Sequence, residues 1–405
     1  MKSASLGNLV YPLTISASAM RDINRSAVLE IIRRASPISR SALAERLDVS
    51  LPTVMRIVDE LTEEGLVRDH RDSEWSGGRR RSLVEYNASG FVVLGVDLGG
   101  TQIYGALSDL GGNIVTELNL GRHGTSGEDS FQKLVELIDV LLASPQLAGR
   151  KVRGIGVGAP GITLHYEGVV KWAATLGWED FPLKSRLMAC YDLPISVDND
   201  VNLAAMGELW FGVGQNTRNM ILVSIGTGIG AGIIIDGALF RGSNDASGEI
   251  GNLLPGREFL GKDYQNFGAL ESMASGTGIA WRARDLLKQQ PDMNVQDSLW
   301  AEDIFEAARQ GQDWARSIID ETVDYLAVAI ANLAVSFDPE IIILGGGVTS
   351  SADLLIEPIL GRIKSSIPSM PKLVVSSLGR RAAVMGAITN VLYRTADYYV
   401  VRKLS

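Results

Sequence analysis

The chain has 405 residues, 46% hydrophobic and 21% charged, the balance of a folded protein with two or three domains. One cysteine, Cys190, and three scattered histidines, His70, His123 and His165, exclude an internal disulfide framework and a zinc site built on close Cys/His spacing. No apolar run reaches the roughly 18 residues of a membrane helix, so a cytoplasmic protein with no membrane partner is expected.

Charge is unevenly spread. The net is −9, yet Met20 to Glu85 holds twelve arginines, no lysine and twelve acids. The acidic excess therefore lies in the rest of the chain. Arginine's planar fork suits phosphates and base edges. There are also 44 glycines, which point to tight turns and close backbone approaches.

Residues 1–19 have their apolar stretch broken by Asn8, Pro12 and Thr14, so a flexible arm is expected rather than a secretory signal. Residues 20–88 read as one small domain. Asn24 to Arg34 predicts a helix with Val28, Ile31 and Ile32 on one face, ended by Pro37. A short helix follows from Ser39, then a turn at Asp48-Val49-Ser50. The third helix has Ser50 as its N-cap and Pro52 in its first turn. Val54, Ile57, Val58 and Leu61 form one buried stripe. Leu51, Pro52, Thr53 and Arg56 are left on the outer face, where a recognition helix meets the major groove. A hairpin from Leu66 to Tyr86 carries Arg79, Arg80 and Arg81 on its return edge. The ordered set predicts a winged helix-turn-helix. The wing arginines are expected on phosphates or a minor groove, with Glu60, Glu63 and Glu64 away from DNA.

From residue 89 to 405 the pattern is α/β. Three strands each run into a glycine loop. Phe91 to Val96 leads to Asp97-Leu98-Gly99-Gly100-Thr101, Ile221 to Ile225 to Gly226-Thr227-Gly228-Ile229-Gly230, and Ile341 to Leu344 to Gly345-Gly346-Gly347. Such turns place backbone amides around a phosphate, and Asp97 is positioned to hold Mg²⁺ through water. Three units spread along the chain predict two α/β lobes closing on a nucleotide, the actin-like ATPase and sugar-kinase (ribonuclease H-like) layout. Lobe I is expected at about 89–196 plus the C-terminal helix, and lobe II at about 197–375. Between the first two loops, Asn199-Asp200 precedes a helical run. Asp200 there serves either as a general base on a substrate hydroxyl or as a helix N-cap.

These motifs, taken together from Asn24 onward, resemble the ROK family of repressors, open reading frames and sugar kinases, and in particular its xylose- and N-acetylglucosamine-type repressors. The resemblance implies that Asp97, Gly99, Gly100, Thr101, Gly226, Thr227, Gly228, Gly345 and Gly346 hold nucleotide. It makes Asp200 the base of the kinases, with Asn199, Asp200, Glu249 and Glu271 on sugar hydroxyls. Two departures from the family pattern stand out. Asn252 replaces the histidine of Gly248-Glu249-Ile250-Gly251-Asn252, and Gly261 to Ala269 replaces a cysteine cluster. No structural zinc is therefore expected, no metal is required, and Tyr264 and Phe267 are expected to be buried in its place. Thr175 stands where the family often has a sugar-binding Asn, so Thr175 and Asn252 are expected among the sugar-binding residues and are expected to alter ligand choice. Trp178 reads either as a sugar platform or as a core residue.

The resemblance implies a repressor that binds operator DNA as a homodimer or tetramer and responds to a small sugar or sugar phosphate. No cofactor is required, ATP with Mg²⁺ being optional. The alternative is an ATP-dependent sugar kinase carrying a DNA-binding arm.

Overall fold

The computed structural model describes residues 17–70, 82–122, 127–264, 267–289 and 299–395. The chain divides into two compact units after Gly90, with Phe91–Leu392 forming the larger.

In the first unit, α1 (Ala17–Ala35) is followed by β1 (Ile38–Ser39), α2 (Arg40–Leu47), α3 (Leu51–Glu63), β2 (Val67–Asp69) and β3 (Leu83–Tyr86). The strands form an antiparallel sheet in the order β1-β3-β2. Helix α1 begins inside the stretch read as an arm. Ala17 and Ala19 are strong helix formers and extend it. The rest of that arm, residues 1–16, and the wing arginines Arg79, Arg80 and Arg81 lie outside the described residues. The stripe of α3 is fully buried: Val54, Ile57, Val58 and Leu61 are all 0% exposed. Ser50 sits at the cap position, but its hydroxyl bonds the Thr53 hydroxyl at 2.8 Å rather than a backbone amide.

The larger unit contains two sheets of the same plan. The first uses β4 (Phe91–Leu98), β5 (Gln102–Asp109) and β6 (Ile114–Gly121), then α4 (Glu128–Leu142) and β7 (Lys151–Ala159). A small antiparallel sheet of β8 (Ile162–Leu164), β9 (Val169–Ala173) and β10 (Trp178–Phe181) intervenes. Helix α5 (Leu183–Cys190), β11 (Ile195–Asn199) and α6 (Asp200–Phe211) follow. The strand order is β11-β7-β4-β5-β6, with β4, β5 and β6 antiparallel and β7 and β11 parallel to β4.

The second sheet uses β12 (Met220–Ile225), β13 (Ile229–Ile235) and β14 (Ala238–Leu239). After a long loop come α7 (Ala269–Ala274), α8 (Gly276–Lys288), α9 (Ala301–Arg309) and α10 (Asp313–Phe337). Then β15 (Ile341–Gly345), α11 (Ile356–Ile363), β16 (Lys372–Val375) and α12 (Ala382–Thr395) complete the described chain. The order β14-β13-β12-β15-β16 repeats the first sheet's mixture of antiparallel and parallel neighbours. This duplicated plan is the actin-like fold of sugar kinases. The first sheet extends through Asn199, past the expected lobe boundary at 196/197.

Each lobe has its own core. Leu94, Val96, Val157 and Val197 pack with Leu134 and Ile138 in the first, and Val223, Ile342 and Leu344 with Ile319 and Ile330 in the second. Helix α12 returns to the first lobe and lies directly on its backbone: a Cβ on Gly156 would meet the Ala387 carbonyl at 2.4 Å. Among the described residues no helix is long and apolar enough to cross a membrane.

Candidate functional site

Two surfaces carry the functional residues, one in each unit. In the smaller unit the buried stripe of α3 fixes which side faces outward. Leu51, Pro52 and Arg56 are exposed, and Thr53 is half-buried with its hydroxyl tied to Ser50. Met55, 46% exposed, joins this face and was not singled out from the sequence. Its i+4 spacing from Leu51 is the signal that finds it. The acids of this unit are structural partners of its arginines. Glu60 accepts from Arg21 at 2.7 Å and from Arg56 at 3.5 Å, and Glu64 pairs with Arg25 at 2.6 Å. Arg33 pairs with Glu30, and Arg68 with Glu85. Many of the twelve arginines counted in the sequence thus neutralise neighbouring acids.

In the larger unit a cleft of about 760 Å³ opens between the lobes. Strand β4 delivers Asp97, Gly99, Gly100 and Thr101, the β12 end delivers Gly226 and Thr227, and the β15 end delivers Gly345 and Gly346. Gly346 has φ +84°, and a Cβ there would strike the Ile225 carbonyl at 2.4 Å, so the turn requires glycine. Gly228 is not part of this lining. Its missing side chain instead makes room for the Glu271 carboxylate, which would lie 2.6 Å from a Cβ.

Asp200 lines the same cleft as the first residue of α6. The N-cap role weighed for it belongs to Asn199, whose side-chain oxygen accepts the Asn202 amide at 2.9 Å. The Asn199 amide nitrogen donates to the Gly161 carbonyl at 2.9 Å. Asp200 is thereby left facing the cleft, where burial and then negative Asp97 and Glu249 hold its carboxyl well above the usual range. Asp97 is pushed up to about 7 by burial, and its Oδ1 is buried with no hydrogen-bond partner. Glu249 is raised by burial and by Glu271. Glu271 is raised by burial, partly offset by the Ile229 N–H it accepts at 2.7 Å. The structure therefore gathers Asn199, Asp200, Glu249 and Glu271 beside the phosphate-type loops.

Thr175 and Asn252 are not in that group. Thr175 is exposed on a one-turn helix, and Asn252 is exposed, donating weakly to the Glu249 carbonyl at 3.4 Å. Asn252 lines a separate hollow of about 310 Å³. Trp178 is a core residue. It is 2% exposed, stacked on Phe181 at 4.1 Å, and its indole N–H donates to the Gly127 carbonyl at 2.8 Å. Tyr264 and Phe267 are half-buried rather than buried. Tyr264 donates to the Phe259 carbonyl at 3.2 Å, and Phe267 packs on Trp281 at 4.8 Å. Among the described residues no group of three or more His, Cys, Asp or Glu side chains is placed to hold a metal ion.

Sequence reasoning missed Arg122. It is 2% exposed and donates to the carbonyls of Gly99 (3.1 Å), Gly100 and Thr175 (3.0 Å), and to the Ser130 hydroxyl (2.9 Å). It therefore fastens the Asp97–Thr101 turn to its surroundings. The cleft walls Trp281, Arg284 and Trp300 were missed too. Trp281 and Arg284 lie on α8 and Trp300 just before α9, far in sequence from the three glycine loops, and only the tertiary fold brings them in.

Comparison with known proteins places these features together. The ROK family model matches residues 93–393, and a winged helix-turn-helix DNA-binding model matches residues 21–68. The xylose repressor of Caldicellulosiruptor bescii is 32% identical over 385 residues, covering 92% of this chain and 96% of its own length. A solved ROK family transcriptional regulator, a homologue of the E. coli MLC protein, superposes with a TM-score of 0.82 at 26% identity, covering 93% of this chain and 98% of its own. A ROK family glucokinase from Streptomyces griseus, solved with glucose and AMPPNP, gives a TM-score of 0.64 at 28% identity, covering 74% of this chain and 98% of its own.

Proposed function

The chain belongs to the ROK family, and on that footing we propose that it is a sugar-responsive transcriptional repressor. The observation that carries this reading is the presence, in one chain, of an outward-facing α3 and a cleft whose Asp200 stands beside the half-buried carboxylates Glu249 and Glu271. Leu51, Pro52, Met55 and Arg56 present mixed apolar and cationic groups suited to base edges and thymine methyls. Asp200, Glu249 and Glu271 repel one another and are poorly solvated. A polyhydroxylated neutral ligand donates several O–H bonds to such acids without adding charge. Binding between lobes that differ in arrangement supplies the differential affinity a switch needs. Two or four copies on a palindromic operator follow from half-site geometry. The loop Gly261–Ala269 carries no thiol and is read as metal-free.

The test is fluorescence anisotropy with the DNA upstream of the gene, at about 0.15 M salt, with and without a sugar panel. Preferential binding that one sugar releases supports the reading. Equal affinity for upstream and random DNA refutes it.

A specific observation favours a second capacity, ATP-dependent sugar phosphorylation. Asp97 Oδ1 is buried, unpartnered and in the cleft. A Cβ at Gly226 or Gly347 would meet nothing within 4 Å, leaving open backbone for phosphate oxygens. These residues fit Mg·ATP, with Asp97 holding the cation and the Gly99–Thr101, Gly226–Thr227 and Gly345–Gly347 backbones holding phosphates. Bound there, the nucleotide would supply the transferable phosphoryl group. Asp200, made more basic by its surroundings, would take the proton from the sugar hydroxyl. Transfer of radiolabelled phosphate to a sugar, abolished by Asp200→Asn, is the expected signature. No transfer to any sugar in the panel refutes it.

A further inference from the structure

The hollow that holds Asn252 is a second feature beside the acids, and nothing above uses it. It measures about 310 Å³, at the small end of the roughly 300–1,000 Å³ typical of ligand pockets. Trp172 of β9 forms one wall from the first lobe. Phe259, Tyr264 and Phe267 come from the long loop of the second lobe, with Lys262 and Asp263 beside them. The Phe259 and Tyr264 rings are stacked at 6.3 Å, and Phe259 is braced edge-on by Tyr325 at 5.8 Å. Trp172, by contrast, is 39% exposed, an indole left partly facing water on a strand.

Short runs of contacts link the hollow to the carboxylates on two flanks. On one, Asn252 lies in the same short helical turn that follows Glu249. The Gly251 backbone there packs on Gly268, and a Cβ on Gly251 would sit 2.9 Å from the Glu271 carboxylate. On the other, Asn199 bonds the Gly161 carbonyl, and Gly161 abuts the Trp172 carbonyl, which a Cβ would meet at 2.2 Å. Gly251 on one flank, and Asn199 with Gly161 on the other, lie between the acids and the hollow.

A pyranose ring has a face of C–H groups and an edge of hydroxyls. The faces of aromatic rings are negative and attract such C–H groups. Asn252 and Lys262 offer donors and an acceptor to the edge. We propose that this hollow is a binding site for the second ring of a disaccharide whose first ring occupies the Asp200–Glu249–Glu271 acids. The effector is then a disaccharide or longer oligosaccharide rather than a monosaccharide. Because Trp172 and the loop belong to different lobes, a two-ring ligand holds both lobes at once. The inference rests on the sugar-responsive reading above and names the ligand class of that site.

Calorimetric titration of the full chain tests it, with xylose and glucose set against xylobiose, cellobiose and maltose. At least one disaccharide is expected to bind about tenfold tighter than its component sugar, a difference of about 1.4 kcal/mol. Trp172→Ala should erase that advantage and leave monosaccharide affinity unchanged. If the unaltered protein binds every disaccharide no better than its component, the inference is overturned while the sugar reading stands. An equal loss for both ligand classes in Trp172→Ala also overturns it. Binding of neither class removes the sugar reading as well.

Discussion

Asp97→Asn is expected to stabilise the protein, and to do so most at alkaline pH. Burial pushes the Asp97 carboxyl up to about 7 from an ordinary 3.8. Between those values the unfolded chain has lost the proton and the native chain keeps it. The native pKa is the raised one, so Asp97's favourable contribution is complete below about pH 4 and is lost as pH rises through about 7. At about 1.4 kcal/mol per pKa unit, the full loss is about 4 kcal/mol. Asp97 keeps part of its surface in the cleft, so water screens some of this. Asparagine is neutral throughout and also relieves Asp200 of a negative neighbour. The gain from substitution should therefore be about 1–3 kcal/mol larger at pH 8 than at pH 5. Calorimetric melting reads this as about 2–4 °C per kcal/mol. A gain equal at both pH values, or a loss at pH 8, would refute the assignment of Asp97 as a buried, charge-penalised group.

Three further outcomes follow from other contacts. Arg56→Ala should lower preference for operator over random DNA by about 1–3 kcal/mol in anisotropy titrations, because among the described residues a weak surface ion pair to Glu60 is what competes for its guanidinium; equal loss on both DNAs would contradict a base-reading role. Asp198→Ala should destabilise by about 3–5 kcal/mol in denaturant titration, since Asp198 is 1% exposed and its carboxylate takes both Arg241 nitrogens at 2.8 and 2.6 Å; a loss below about 1 kcal/mol would show the pair to be dispensable. Two glycine substitutions should act in opposite directions. Gly386→Ala drives a Cβ to 1.7 Å from the Leu203 carbonyl where α12 crosses α6, and should cost at least about 1–3 kcal/mol, whereas Gly361→Ala meets nothing within 4 Å in an exposed helix and should gain about 0.5–1 kcal/mol by thermal melting.

Much of the architecture was legible because it is local. The α3 stripe is a four-residue pattern that any helix turns inward, and its outer face follows by subtraction. The three glycine loops announce themselves because a backbone that must turn sharply at a strand end restricts which residues are tolerated. The carboxylates of the cleft were found through a family resemblance, not through spacing. They lie on α6, the loop before α7, and α7 itself, and no periodicity links these elements.

The sequence by itself determined the winged helix and the strand-and-glycine-loop units, because propensity, periodicity and turn chemistry act over a few residues. Only the tertiary structure decided which groups meet. It buried Arg122 under the Asp97 turn, assigned the helix cap to Asn199 and freed Asp200, and sent Trp178 into the core. It also turned Asn252 out of the acid cluster and into an aromatic hollow with Trp172. Each of these depends on contacts between residues far apart in the chain, where burial and electrostatic repulsion are set by three-dimensional neighbours.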